Sequence, residues 1–244
     1  LFGIFSPFFL YLFVLKYIGF KYDIEQVMLE AAMDQQAIQD YLLALVKERH
    51  PLLMEMEDYA REQHVPIMDL LGMEHMLQFL RLIQPKKILE LGAAIGYSSI
   101  RMVQSLSQCE VVTIERNVPR IEKAKEYIAK AGLTHQITLI EGDALLSFEE
   151  VQKHGTFDVI FIDAAKGQYK RFFELYEPLL NDNGVIISDN VLFHGEIVQY
   201  IENKRRRCLV NKIKDYNEWL SNHPKYDTTI FPIGDGVTVS KKKG

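Results

Sequence analysis

The chain has 244 residues, 48% hydrophobic and 25% charged, enough for one large α/β domain or one domain with appendages. A formal net charge of −5 excludes bulk electrostatic binding of a polyanion, so any nucleic-acid contact must come from a local basic patch. Two cysteines, Cys109 and Cys208, lie outside any CxxC pair; they exclude a disulfide framework or a zinc site and suit a reducing, cytoplasmic setting.

Residues 1–15 (LFGIFSPFFLYLFVL) carry no charge, and Lys16 follows. Extended to Phe20, this run just reaches the roughly 17–25 residues of a membrane-spanning helix. No basic segment precedes it and no small-residue cleavage site follows, so it does not read as a signal peptide. The chain opens on Leu1, as would a fragment or a start set too far upstream. Residues 1–30 are expected to be an appendage outside the main fold, with membrane anchoring the lesser alternative.

Helical spacing begins at Asp34, with Ile38, Tyr41, Leu42, Leu45 and Val46 at intervals of three and four, and stops before Pro51. Residues 53–63 and 70–82 predict two more helices around the break HVPIMD. From Lys87 strands and helices alternate. Strands are predicted at 87–91, 110–115, 137–141, 157–162 and 185–188, and helices at 97–106, 118–131, 169–180 and 211–222. A hairpin of 228–232 and 237–241 closes on IGDG. The run FDVIFI is apolar throughout, as a central parallel strand covered on both faces would be. The pattern predicts an α/β, doubly wound, Rossmann-like sheet with a terminal antiparallel hairpin and an N-terminal helical cap. The domain would span 31–244, with the cap at 34–82 and the sheet at 87–241.

The strand KILEL runs into GAAIGYSS, which opens a helix whose N-terminal amides face a ligand site. Gly92 and Gly96 permit a tight turn and close approach. A dinucleotide cradle would need G-x-G-x-x-G; here the middle glycine is absent, and Glu90 gives E-x-G-x-x-x-G, which resembles motif I of class I methyltransferases. Glu115 ends the second strand, where a carboxylate can accept from ribose hydroxyls, a feature shared with nicotinamide enzymes. Asp143 and Ala144, in EGDA after the third strand, stand where such enzymes contact adenine. Ser98 adds a candidate hydrogen bond near a methionine carboxylate.

Asp163 follows the fourth strand, and Asp189 and Asn190 follow the fifth. Neighbouring strands lie ~4.8 Å apart, so these side chains can converge. Two carboxylates and an amide oxygen make a hard donor set suited to Mg²⁺. The competing reading of Asp189-Asn190 is a turn cap.

Together ELGAAIGYS, DAAKGQY and SDN resemble the cation-dependent O-methyltransferases that include the catechol and caffeoyl-CoA enzymes, over about residues 33–243. The detail of DAAKGQY, NVLFHG, KRRR and GDGVTVSKK is most similar to the bacterial branch that converts wobble 5-hydroxyuridine of tRNA into 5-methoxyuridine. The resemblance implies S-adenosylmethionine and Mg²⁺ as cofactors, and Asp163, Asp189 and Asn190 as metal ligands. It implies Ser98, Glu115, Asp143 and Met68 as cofactor contacts, and Lys166 beside Asp163 as the catalytic base. It further implies a homodimer and a tRNA anticodon loop as partners. Residues 1–30 have no counterpart in the family pattern.

The run Lys204-Arg205-Arg206-Arg207 is the dense basic segment inside the fold. Arg205, Arg206 and Arg207 are either phosphate contacts or a solvated helix face. Phe193 and His194 either meet a base or pack a loop.

Overall fold

The structure, a computed structural model, describes residues 37–106 and 108–243. The expected appendage at 1–30 lies outside the described residues. Two compact units divide the chain at Lys47 and Glu48. The described part of the first holds a helix over residues 37–45 (α1), which stops short of the predicted limit at Pro51.

The second unit, Glu48–Gly244, carries the rest. Helix α2 spans Pro51–Glu62, with Pro51 in its first turn, where a missing N–H costs nothing. The predicted start at residue 53 was therefore late. Helix α3 spans Leu70–Ile83; Asp69 caps it by accepting from the Gly72 amide at 2.9 Å.

Then follow β1 (Lys87–Leu91), α4 (Tyr97–Ser105), β2 (Glu110–Glu115), α5 (Val118–Lys130), β3 (Ile137–Glu141), the short α6 (Phe148–Gln152), β4 (Phe157–Ile162), α7 (Tyr169–Tyr176), β5 (Leu180–Ser188), α8 (Lys204–Ser221), β6 (Tyr226–Phe231) and β7 (Val237–Lys242). Helix α7 is shorter than predicted: Pro178 sits in a 3₁₀ turn, and NDNG belongs to β5, where the pairing with β4 shifts register. Helix α8 starts seven residues before the predicted residue 211. Asn203 caps it, so KRRR forms its first turn.

The seven strands order as β3-β2-β1-β4-β5-β7-β6. The first five are parallel, and β7 runs antiparallel to both β5 and β6. The order reverses between β1 and β4, and crevices in open α/β sheets form at the carboxyl ends beside such a switch point. Alternate strand residues serve two cores. Ile88, Val111 and Val159 pack with α2–α5, whereas Leu89, Val112 and Ile160 pack with α7 and α8. Among the described residues no helix is long and apolar enough to cross a membrane.

Candidate active site

A cavity of about 290 Å³ opens at the carboxyl ends of β1–β5. Its walls include Met68, Gly92, Glu115, Asp143, Ala144, Asp163, Lys166, Asp189 and Asn190. The residues expected to bind a nucleoside and those expected to bind a metal thus share one chamber.

Backbone pairing places the acids. The Asp163 amide donates to Leu91 O at 3.0 Å, and the Asp189 amide donates to Ile162 O at 3.1 Å. Each residue beyond a strand end is pinned by the strand beside it. Gly92 has φ +107°, and an added Cβ would lie 2.1 Å from Asp163 O. Its bare Cα therefore serves the approach of the β4 end, not only a ligand. Gly96, at φ +82°, makes the left-handed entry to α4.

Glu115 is buried. One carboxylate oxygen accepts from the Ala94 amide at 2.9 Å; the other accepts from the Arg116 and Asn117 amides at 2.9 and 2.8 Å. It thereby fixes the glycine turn from the β2 end. Asp143 accepts from the Leu145 amide and from Arg116 Nη1, each at 2.9 Å. These two donors hold it below the usual carboxylate range despite some burial. Arg116 and the lip residues Pro66 and Ile67 also line the cavity. Sequence reasoning missed them, although Arg116 directly follows the strand-end Glu115.

Glu90 and Ser98 are placed differently from expectation. Neither lines the cavity. The Glu90 side chain shares the β1 face of Ile88 and is fully buried, accepting from the hydroxyls of Ser98, Ser99 and Thr113. It braces α4 from behind the glycine turn. Burial pushes its carboxyl up to about 7, against the pull of the three hydroxyls. A raised folded-state value means that stability falls as pH climbs from 4.5 to about 7. Glu90→Gln should flatten that segment of the stability–pH curve, which denaturant titrations at several pH values would measure. An undiminished slope would assign it to other groups.

Asp189 is buried and Asp163 partly so. Burial, then repulsion from Asp163, drives Asp189 well above the usual carboxylate range; burial also raises Asp163, while Lys166 opposes the rise. The Asn190 amide nitrogen donates to Asp189 Oδ2 at 3.2 Å, and Lys166 Nζ donates to Asn190 Oδ1. Among the described residues no three His, Cys, Asp or Glu side chains form a metal cluster. The candidate set has two carboxylates and completes itself with an amide oxygen. Two oxygen acids that disfavour their own ionisation, beside a third oxygen donor, fit a hard divalent cation.

Asn190, Phe193 and His194 all have positive φ, so a strained turn leads away from the acids. Phe193 is buried with Val210 and Ile213; it packs the loop and offers no free face. His194 is exposed, with Nδ1 2.7 Å from Asp235 Oδ1. Of the basic run, Arg206 pairs with Glu196 and lies 5.2 Å from the Phe193 ring centroid. Arg207 donates to Ile201 O at 2.9 Å, and Arg205 is exposed. None of the three lines the cavity.

The sequence model of the O-methyltransferase family matches residues 44–243. A caffeoyl-CoA O-methyltransferase of Petroselinum crispum is 31% identical over 172 residues, covering 67% of this chain and 71% of its own. A Staphylococcus aureus crystal structure, provisionally described as a caffeoyl-CoA O-methyltransferase, superposes with TM-score 0.78 at 38% identity. That likeness covers 86% of this chain and all of the other. A Bacillus cereus O-methyltransferase solved in complex with SAH superposes with TM-score 0.74 at 26% identity, covering 85% of this chain and 97% of the other.

Proposed function

The chain belongs to the O-methyltransferase family, and on that premise we propose that it moves a methyl group from S-adenosylmethionine to a hydroxyl oxygen of 5-hydroxyuridine in tRNA. The carrying observation is the single cavity that joins Glu115 and Asp143 to Asp163, Asp189 and Asn190. S-adenosylmethionine, when bound, supplies a methyl group on a sulfonium sulfur. Glu115 and Asp143 would hold its nucleoside end, and buried Met68 gives that end an apolar wall. Asp163, Asp189 and Asn190 would hold Mg²⁺, whose charge lowers the pKa of a neighbouring hydroxyl.

Lys166 is the proton acceptor in this reading. Its Nζ reaches Asn190 Oδ1, so it stands beside the acceptor hydroxyl's site. A lysine amine accepts a proton through its nitrogen lone pair. The hydroxyl proton passes to Nζ, the oxygen forms its bond to the methyl carbon, and the carbon–sulfur bond breaks. Holding the oxygen in line supplies much of the rate.

Support for an RNA acceptor comes from the motifs DAAKGQY, NVLFHG, KRRR and GDGVTVSKK and from the exposed Lys204 and Arg205 on the first turn of α8. That helix packs close to the Lys166 turn: a Cβ on Gly167 would lie 3.5 Å from Leu209 Cδ1. Cations there suit phosphates. The relatives' names favour a second reading, a CoA thioester bearing neighbouring phenolic hydroxyls, whose phosphates would suit the same turn.

Nucleoside mass spectrometry of tRNA from cells lacking the chain separates the two. Loss of 5-methoxyuridine with accumulation of 5-hydroxyuridine is expected. Unchanged tRNA would refute the RNA acceptor and favour the thioester.

A further inference from the structure

Two charged pairs involve helices α2 and α3. Arg49 forks onto Glu57 at 2.8 and 2.9 Å, and Arg101 on α4 pairs with Glu74 on α3. One atom joins them: the Tyr97 hydroxyl donates to Glu57 Oε1 at 2.6 Å and accepts from Arg101 Nη1 at 2.9 Å. Tyr97 is only 1% exposed, and burial keeps its hydroxyl protonated and able to donate.

The position of this atom gives it a consequence for the cavity. Tyr97 is the first residue of α4, directly after Gly96 of the glycine turn. Glu57 lies on α2 and Glu74 on α3, and the segment between those helices supplies Pro66, Ile67 and Met68 to the cavity wall. The hydroxyl therefore ties the lip of the cavity to the turn that forms its floor.

We propose that the Tyr97 hydroxyl is a latch between cap and glycine turn, making Tyr97 a positioning residue for the methyl donor. The proposal rests on the cofactor reading above. Without the latch, each ion pair persists and Arg101–Glu74 still ties α4 to α3, but α2 is released from α4, and the bound form must restore their spacing. That restoring cost weakens binding without touching the acceptor site.

Tyr97→Phe is the selective test, because it keeps the ring and leaves Arg49–Glu57 and Arg101–Glu74 intact. Calorimetry with SAH on the full chain should show affinity weakened about 5-fold or more, a typical coupling. At saturating S-adenosylmethionine kcat should stay near the parent's, so the change falls in KM. Glu57→Gln retains an acceptor for the hydroxyl and should bind SAH nearly as the parent does. Equal affinity of Tyr97→Phe and parent would overturn the latch. Weakening of equal size in both variants would also overturn it, by marking general loosening of the helices. Absence of SAH binding by the parent itself would overturn the cofactor reading and the latch together.

Discussion

Replacing Asp189 with Ala is expected to cut methyl transfer severely while leaving the fold at least as stable in the presence of a chelator. Asp189 is 3% exposed and faces Asp163 in the same cavity. Both carboxyls have folded-state values raised above the ordinary 3.8. Without a cation, their contribution to stability is greatest below that value and is lost as pH rises through the raised ones. At neutral pH the pair is a cost carried for function, and Ala removes half of it. Activity should fall about 10²-fold or more, the scale seen when metal coordination is disturbed. Thermal melting with EDTA and turnover with Mg²⁺ together measure both halves. A variant that retains turnover, or that melts well below the parent, would make the acids structural.

Gly92→Ala is expected to show the largest loss of stability among small substitutions at the site. The added methyl would stand 2.1 Å from Asp163 O and 2.9 Å from Asp163 C, both backbone atoms, at φ +107°. Neither atom can yield without displacing the end of β4. Left-handed strain and overpacking together cost roughly 3 kcal/mol. Because the displaced residue is Asp163, turnover should fall along with the midpoint of unfolding. Urea denaturation measures the first, and a curve overlaying the parent's would contradict the contact.

Much of this architecture is legible in the sequence, for a definable reason. Strands β1, β2 and β4 are short, largely apolar runs buried in a parallel sheet, and their predicted limits, like those of the edge strand β3, match the structure. Sequence spacing places the start of α8 late because its first turn, KRRR, is exposed on every side and carries no apolar period. Strand-end acids were legible because a doubly wound sheet gathers them at one edge. The direction of Glu90 was not: β1 is buried on both faces, so alternation alone cannot say which face meets the ligand. The link from Glu57 to Tyr97 spans 40 residues, and no local spacing encodes it.

O-methyl transfer from S-adenosylmethionine at the β1–β5 edge is tested by incubating the purified chain with methyl-labelled S-adenosylmethionine, Mg²⁺ and tRNA carrying 5-hydroxyuridine, followed by digestion and mass spectrometry. The expected result is a labelled methyl on the 5-oxygen with one equivalent of SAH released, both suppressed by EDTA. Failure to release SAH with that tRNA and with a caffeoyl-CoA acceptor, or label appearing on nitrogen or carbon, would contradict it.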